Sequence, residues 1–219
     1  MAAQSGVDLA IIDYGMGNLL SVSKAFEHVA PGADIVVTSD PSVIAAAARV
    51  VFPGVGAMPD CIRELEQRGL TAVVKQAAAS KPFLGICLGM QALFEHSEEG
   101  DCAGLGLLPG QVRLFPAAAM KDAAGNKLKV PHIGWNQVRQ AAPHPLWAGI
   151  EDGARFYFVH SYYADPASPD VVAGHTNYPF AFTCAVASDN LFAVQFHPEK
   201  SQAAGLRLLA NFVTWDGSR

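Results

Sequence analysis

A cysteine between two glycines is the residue of this chain best suited to nucleophilic chemistry. The sequence Gly-Ile-Cys-Leu-Gly at 85–89 follows an apolar run and leads directly into a helical pattern. This is the pattern of a nucleophile elbow, a tight strand-to-helix turn that exposes the reactive side chain and uses glycines for close backbone approach. The start of a helix also favours the thiolate of Cys87, which is the reactive form. The alternative is that Cys87 is a small buried apolar residue between two packing glycines.

A histidine and a glutamate two residues apart could serve this cysteine as its base and as the base's orienting group. His197 and Glu199 flank Pro198 and follow the apolar run 191–196. We expect Pro198 to hold the chain extended, with both side chains on the same side of the strand end. Cys87 and His197 each follow a predicted strand directly, and α/β sheets form their sites at the carboxyl ends of strands. Cys87, His197 and Glu199 are therefore the predicted catalytic residues.

The other histidines are less well placed for catalysis. His132 and His160 lie near glycine- and aromatic-rich stretches and could contact the catalytic residues without touching the substrate. The remaining four lie on predicted helices or beside turns and prolines, namely His28, His96, His144 and His175. No further ligands stand at a recognisable spacing around His197 and Glu199, so neither a metal nor another cofactor is predicted.

A glycine-containing loop, Pro-Gly-Val-Gly at 53–56, follows the third predicted strand. Glycines let backbone N–H groups approach a ligand closely. We expect this loop and the backbone N–H of Leu88 to form an oxyanion hole beside Cys87. The alternative is a plain turn, because a strand that ends in Pro-Gly is often no more than that.

The elements that must position these residues alternate in the first half of the chain. Short apolar runs predict buried parallel strands, and a helical pattern follows each of them. The predicted strands are 9–13, 35–38, 49–52 and 83–86, and the pattern at 60–79 predicts one or two helices broken near Gly69.

From about residue 104 the pattern changes to short strands separated by turns, followed by a last helix at 202–213. These strands are predicted at 112–115, 135–139, 156–159, 171–174, 182–187 and 191–196. The fold class is therefore α/β, with a doubly wound, largely parallel or mixed central sheet flanked by helices and extra antiparallel strands in the second half. No linker-like stretch separates the halves, so we predict one domain over 1–219.

Composition excludes several classes of function. The 219 residues are 51% hydrophobic and 16% charged, which suits a compact globular protein. The net charge of −5 lacks the basic surplus of a nucleic-acid-binding protein. The longest nearly apolar run, 43–58, is broken by Arg49 and Pro53 and is shorter than the ~20 residues of a membrane span. Four cysteines without a CxxC pair, and an N-terminus unlike a signal peptide, predict the cytoplasm.

The motifs at 53–56, 85–91 and 197–199 resemble, in order and spacing, those of the class I glutamine amidotransferases, which use a catalytic triad. The resemblance extends over essentially the whole chain. Within that class, the sequences at 13–18, 131–136, 157–162 and 197–201 look like those of the glutaminase subunits of imidazole glycerol phosphate synthases.

The resemblance implies a reaction and a role for each site residue. Cys87 would attack the side-chain amide of glutamine, form a glutamyl thioester and release ammonia, and water would then hydrolyse the thioester to glutamate. His197 would act as base and acid, and Glu199 would orient its ring. Oxyanion and substrate contacts are implied for Gly54, Val55, Leu88, Gln91, Ser161 and Tyr162.

A partner follows from the chemistry of ammonia, which water protonates at neutral pH and so removes as a nucleophile. A shielded path into a second active site is needed, and the resemblance implies a (β/α)8-barrel cyclase subunit that forms a heterodimer with this chain and uses the ammonia for histidine biosynthesis. Because the cleft is expected at the carboxyl ends of the strands, the docking face is predicted to include Asn18, Trp135, Asn136 and Lys200. A place in the core is an equal alternative for Trp135.

Two other interpretations keep the cysteine chemistry. One is a class I glutaminase subunit of another pathway. The other is a stand-alone cysteine-dependent γ-glutamyl hydrolase or peptidase, which needs no synthase. A non-catalytic interaction subunit is a third interpretation, and the intact set of Cys87, His197 and Glu199 argues against it. The segment 117–129 is rich in Ala and Lys, and we expect its length to be particular to this protein.

Overall fold

The alternation predicted for the first half is confirmed in the computed structural model of the protein, which describes residues 7–121 and 125–218. Each strand of this half leads into helix, and α3 and α4 are separated at Gly69 as the pattern predicts. The elements are β1 (Leu9–Ile12), α1 (Leu19–Val29), β2 (Ile35–Thr38), α2 (Pro41–Ala46), β3 (Arg49–Gly54), α3 (Met58–Gln67), α4 (Thr71–Ser80), β4 (Phe83–Cys87) and α5 (Leu88–Gln91).

The second half is mostly strand and ends in a helix. Its strands are β5 (Phe94–Ser97), β6 (Cys102–Ala103), β7 (Leu108–Leu114), β8 (His132–Gln137), β9 (Arg139–Gln140), β10 (Arg155–His160), β11 (Tyr162–Pro166), β12 (Val172–Asn177), β13 (Ala181–Ser188) and β14 (Leu191–Val194). The last helix is α6 (Gln202–Thr214), and single turns of 3-10 helix lie at Pro145–Trp147, Pro169–Val171 and Pro198–Lys200.

One mixed sheet joins the two halves. Its order is β2-β1-β3-β4-β14-β13-β11-β7-β5-β6, with β12 pairing both β13 and β9. Strands β1 to β4 and β14 pair in parallel, whereas β13 runs antiparallel to β14 and to β11. Strands β8 and β10 form a separate antiparallel ribbon. The predicted α/β class with added antiparallel strands is thus confirmed.

Both faces of β1, β3 and β4 are buried. The prediction of a buried strand at 35–38 is wrong, because β2 lies at the edge of the sheet and is only partly buried. Successive side chains of a strand point to opposite faces. Val51 of β3 packs in the cluster that contains Phe26 of α1 and Phe212 of α6. Its neighbour Phe52 packs in the cluster that contains Leu65 of α3. Helices therefore cover the sheet on both sides, which explains why its strands read as continuous apolar runs.

The structure differs from the prediction where local patterns are short. The helix after Cys87 is one turn long, and β5 begins at Phe94, because the chain turns back to pair with β7. Asn18 directly precedes α1, and its side chain makes no capping hydrogen bond. Residues 122–124 of the segment 117–129 lie outside the described part of the chain. Within the described ranges, none of the helices has the length and hydrophobicity to cross a membrane.

Candidate active site

The turn at Cys87 has the strained backbone of a nucleophile elbow. Cys87 ends β4 with φ +56° and ψ −113°, a conformation that costs a residue other than glycine about 1–3 kcal/mol. The packing around it explains the flanking glycines. A Cβ on Gly89 would overlap the carbonyl oxygen of Phe52, and one on Gly85 would lie 2.9 Å from the Cβ of Ala193. The tight turn predicted for 85–89 is confirmed.

Cys87 differs from the other buried cysteines by its surroundings. It is 7% exposed and lines a cleft together with His197. Cys61 and Cys184 are completely buried in the core, and burial raises the pKa of Cys61 to about 12, so its thiol stays protonated at neutral pH. The interpretation as an inert apolar residue therefore suits Cys61 and Cys184 better than Cys87.

His197 and Glu199 contact each other directly, but not in the way that the sequence predicted. The ring Nδ1 of His197 lies 2.8 Å from Oε1 of Glu199, with both side chains almost fully buried. The expectation that Pro198 holds the chain extended is wrong. Pro198 begins a turn of 3-10 helix, because proline suits the first position of a helical turn. This turn brings Glu199 back onto the ring of His197.

Hydrogen bonds hold the backbone of His197 against the β8–β10 ribbon. The N–H of His197 donates to the carbonyl oxygen of Tyr157 in β10 at 2.9 Å. The hydroxyl of Ser201 donates to the carbonyl oxygen of His197 at 2.6 Å and accepts from the N–H of Tyr157 at 2.9 Å. Ser201 was not predicted as a site residue, since a serine after a charged pair carries no distinguishing signal.

The surroundings of His197 favour its protonated form. Burial alone would lower the pKa, but the adjacent Cys87 and then Glu199 outweigh it and raise the pKa of His197 to about 10. The second ring nitrogen, Nε2, makes no hydrogen bond within the described residues. The sulfur of Cys87 therefore acts on His197 through its proximity and not through a formed hydrogen bond. A thiolate at this position would be a nucleophile next to a proton donor.

A cleft of about 290 Å³ opens at the carboxyl ends of the parallel strands. Its walls come from the elbow, the loop after β3, the end of β10 and the start of β11. They contain every predicted substrate-contact residue except Gly54. The lining residues are Val55, Gly56, Cys87, Leu88, Gln91, Glu99, Pro131, Val159, His160, Ser161, Tyr162 and His197.

The predicted oxyanion loop lies beside the elbow. In the register of β3 and β4, Gly54 is directly opposite Cys87. A Cβ on Gly54 would lie 2.9 Å from the Cβ of Leu88 and 3.1 Å from the backbone nitrogen of Gly89. Gly54 therefore permits the end of β3 to lie close to the elbow, and Val55, which follows it, is 37% exposed.

A buried glutamine links Cys87 to the predicted substrate residue Gln91. The side-chain nitrogen of Gln195 lies 3.7 Å from the sulfur of Cys87. Its oxygen accepts from the side-chain nitrogen of Gln91 at 2.9 Å, and that nitrogen also donates to the carbonyl oxygen of Tyr162 at 3.1 Å. Gln195 was not predicted as a site residue, although a polar residue within the apolar run 191–196 was a usable signal. The structure buries it completely, and buried polar groups are normally hydrogen-bonded.

Glu99, an acidic residue of the cleft, was not predicted as a site residue either. Glu99 lines the cleft, and its carboxylate accepts from the backbone N–H of Met58 at the start of α3, at 2.8 Å. No predicted strand ends next to Glu99, and no motif marks it in the sequence. Its place in the cleft depends on the packing of the β5–β6 turn against α3, which no local pattern reveals.

The four residues predicted for docking lie at different depths. Asn18 lines a narrow crevice together with Gly54, His197 and Glu199. Trp135 is 40% exposed and packs its ring against Tyr157 at 6.1 Å, so the alternative of a core position is wrong. Lys200 is exposed and forms no ion pair with the residues that the structure describes. Asn136 is half-buried.

The chain is similar in sequence to known proteins over almost its whole length. Residues 10–215 match the model of the family described as "Glutamine amidotransferase class-I". The imidazole glycerol phosphate synthase subunit HisH of Thiobacillus denitrificans is 70% identical over 210 residues, which cover 96% of this chain and 92% of that protein. The HisH subunit of Nitrosospira multiformis is 66% identical over 208 residues, covering 95% and 98%.

Solved structures of low sequence identity share the fold. A crystal structure of a glutamine amidotransferase superposes with a TM-score of 0.70 at 14% identity and covers 95% of this chain and 100% of its own. The structure of PurLQS from Thermotoga maritima gives 0.65 at 17% identity, covering 93% and 96%. Since the family model extends from β1 to the end of α6, the chain belongs to the class I glutamine amidotransferases.

Proposed function

We propose that the protein is the glutaminase subunit of an imidazole glycerol phosphate synthase, which hydrolyses glutamine to glutamate and delivers ammonia to a cyclase for histidine biosynthesis. The main support for glutaminase activity is the strained Cys87 beside a buried His197, whose ring is hydrogen-bonded to Glu199. The relatives at 66–70% identity supply the choice of pathway.

The first step forms a thioester. The thiolate of Cys87 attacks the δ-carbon of glutamine, and the C–N bond breaks as the imidazolium of His197 gives its Nε2 proton to the leaving nitrogen, which departs as ammonia. The raised pKa of His197 keeps this proton available at neutral pH. Glu199 accepts the Nδ1 hydrogen at 2.8 Å and so aims Nε2 at the cleft.

The second step releases glutamate. The neutral His197 takes a proton from water while the oxygen of that water attacks the thioester carbon. The C–S bond then breaks, the sulfur leaves as a thiolate, and the thiolate–imidazolium pair is restored. In both steps negative charge develops on the substrate oxygen, where the backbone N–H groups of Val55 and Leu88 would receive it.

Groups in the cleft suit the two charged ends of free glutamine. The carboxylate of Glu99 can pair with the α-ammonium group. Because both hydrogens of the Gln91 amide are used within the protein, its carbonyl oxygen is left as an acceptor for the substrate. Ser161 and Tyr162, at the junction of β10 and β11, would hold the α-carboxylate through backbone and side-chain donors.

The partner is proposed to be a (β/α)8-barrel cyclase subunit that docks over the cleft to form a heterodimer in the cytoplasm. Neutral ammonia would pass into it without meeting bulk water. The exposed ring of Trp135 and the ammonium of Lys200 support a docking face here, because aromatic residues are enriched at interfaces and a charge at the rim can steer an oppositely charged partner.

The proposal is tested by measuring ammonia release from glutamine by the purified chain, alone and with a candidate cyclase and its ligand. We expect stimulation by the liganded cyclase and little turnover of γ-glutamyl peptides. Equal turnover of γ-glutamyl peptides without any partner would replace the proposal with a stand-alone hydrolase. Stimulation by the synthase of another pathway, and not by the cyclase, would reassign the pathway.

A further inference from the structure

Two buried histidines beside the cleft have no part in the proposed reaction steps. His132 of β8 and His160 of β10 lie directly opposite each other in the ribbon. They are 3% and 6% exposed. Nδ1 of His132 lies 2.9 Å from Nε2 of His160. The direction of this hydrogen bond depends on which nitrogen of each ring carries the hydrogen.

The contact of His160 with the backbone shows which ring nitrogens carry the hydrogens. Nδ1 of His160 lies 2.7 Å from the carbonyl oxygen of Tyr162. A carbonyl oxygen can only accept, so Nδ1 of His160 carries a hydrogen. Burial lowers the pKa of His160 to about 3, so the ring is neutral at physiological pH and its Nε2 is an acceptor. Nδ1 of His132 must therefore be the donor of the bond between the rings.

The contact between His132 and Asn136 is consistent with a hydrogen bond donated by His132 to His160. Burial lowers the pKa of His132 to about 4, so this ring is also neutral, and its Nε2 accepts. The side-chain nitrogen of Asn136 lies 3.3 Å from it and gives its other hydrogen to the carbonyl oxygen of Asn177 at 2.8 Å. The side-chain oxygen of Asn136 accepts from the N–H of Gln137 at 2.8 Å, which fixes the orientation of the amide.

Three hydrogen bonds thus run in one direction, from Asn136 through His132 and His160 to the carbonyl oxygen of Tyr162. We call these four residues the histidine relay. Its inner end meets the cleft, because the Tyr162 carbonyl oxygen also accepts from the side-chain nitrogen of Gln91 at 3.1 Å. A displaced Tyr162 carbonyl would leave that hydrogen of Gln91 without its acceptor in a buried site.

We infer that His132 and His160, both in the Nδ1–H tautomer, are positioning residues for the substrate: they hold the Tyr162 carbonyl, and through it Gln91, in the orientation that receives glutamine. The inference rests on the proposed function. The competing explanation is that His132 is simply a packed ring, since it stacks on Tyr178 at 4.1 Å and on Phe158 at 4.9 Å.

The first test needs no variant and no activity. In the full chain labelled with ¹⁵N-histidine at neutral pH, we expect both His132 and His160 to show a protonated Nδ1 and an unprotonated Nε2. An Nε2–H tautomer or a charged ring at either position would overturn the inference. This result stands or falls independently of whether the protein is a glutaminase.

The second test separates positioning from packing by two substitutions of His132. His132→Phe keeps an aromatic ring but loses the donor, and His132→Asn loses the ring but keeps an N–H near the place of Nδ1. In the complex with the cyclase and its ligand, we expect His132→Phe to raise KM for glutamine by about tenfold, the effect of one hydrogen bond. The rate at which iodoacetamide alkylates Cys87 should not change, and His132→Asn should recover most of the loss in KM.

An unchanged KM in His132→Phe, or a KM in His132→Asn at least as high as in His132→Phe, would overturn the inference in favour of packing. If His132→Phe does not fold, the tautomer measurement decides alone. If the unmodified complex releases no ammonia from glutamine, the proposed function fails, while the tautomers still report on the relay.

Discussion

At the scale of single residues, Cys87 combines a reactive side chain with an unfavourable backbone. Its φ of +56° suits glycine, yet a glycine would carry no nucleophile. The neighbouring glycines let the start of α5 pack closely against β3 and β4. The positive φ of Cys87 is expected to lower the stability of the fold.

Replacing the cysteine tests both its reactivity and its strain. Cys87→Ala and Cys87→Gly should each abolish glutaminase activity, because no nucleophile remains. Cys87→Gly should also be more stable than Cys87→Ala by about 1–2 kcal/mol, since glycine relieves the positive φ. Urea denaturation of both variants measures the difference. Substantial glutaminase activity in either variant would rule out Cys87 as the nucleophile, and equal stability would rule out the strain.

The carboxylate of Glu199 is expected to influence the pH range in which His197 stays protonated. Glu199 helps to raise the pKa of His197 to about 10, so its removal lowers that pKa. In Glu199→Gln we therefore expect the alkaline loss of kcat/KM for glutamine to begin at lower pH than in the unmodified enzyme, because the imidazolium is lost earlier. The pH profile of kcat/KM measures this shift.

Glu66→Gln is the matched control, because Glu66 makes the same change of charge on an exposed part of α3. Its pH profile should equal that of the unmodified enzyme. An unchanged profile in Glu199→Gln would mean that this carboxylate does not act on the charge of His197.

At the scale of elements, the loop after β3 is constrained more tightly than its glycines suggest. Gly54 lies opposite Cys87 in the sheet, and a Cβ there would meet Leu88 and overlap the hydroxyl of Tyr14. A side chain at residue 54 would therefore displace the loop from the elbow. We predict that the peptide between 54 and 55 reorients when the partner binds, because the glycines on either side of Val55 make this rotation sterically easy.

Gly54→Ala should reduce the partner-stimulated kcat far more than the binding of glutamine, because the oxyanion donors move. Part of the effect will be loss of stability from the overlap with Tyr14. The double variant Gly54→Ala/Tyr14→Phe removes the overlapping hydroxyl, so it should regain thermal stability while kcat stays low. If kcat returns together with stability, the loop has no oxyanion role. Equal rates with and without the liganded cyclase in the unmodified protein would contradict a switch.

Elements that depend on local pattern could be predicted from the sequence. The strands β1, β3 and β4 are apolar runs buried on both faces, and the elbow at 85–89 has a glycine spacing with a steric reason. Elements that depend on distant pairing could not be predicted. Strand β11 pairs with β7 across about 50 residues, and the turn at Pro198 depends on Ser201 and on Tyr157 of the ribbon.

At the scale of the whole molecule, the docking face remains a prediction that a single charge can test. Lys200 is exposed next to Glu199 and makes no ion pair within the described residues. Lys200→Ala should weaken binding of the cyclase or its stimulation of glutaminase, without changing thermal stability. Titration calorimetry and ammonia release in the complex measure the two effects.

Lys75→Ala is the control, because Lys75 is an exposed lysine on α4, away from the cleft. It should change neither affinity nor stimulation. The same absence of effect in Lys200→Ala would remove this face from the proposed interface.

The position of β14 has a consequence for how the protein is made. This strand follows β4 by about 100 residues of sequence, yet it pairs directly with β4 in the middle of the sheet. During translation the free edge of β4 stays unpaired until residues 191–194 leave the ribosome, and such an edge can pair with other chains. Cys87 lacks His197 over the same interval. The insertion of β14 covers the edge of β4 and is followed directly by His197, so the exposure to aggregation ends at the stage of synthesis at which the proposed catalytic pair can first form.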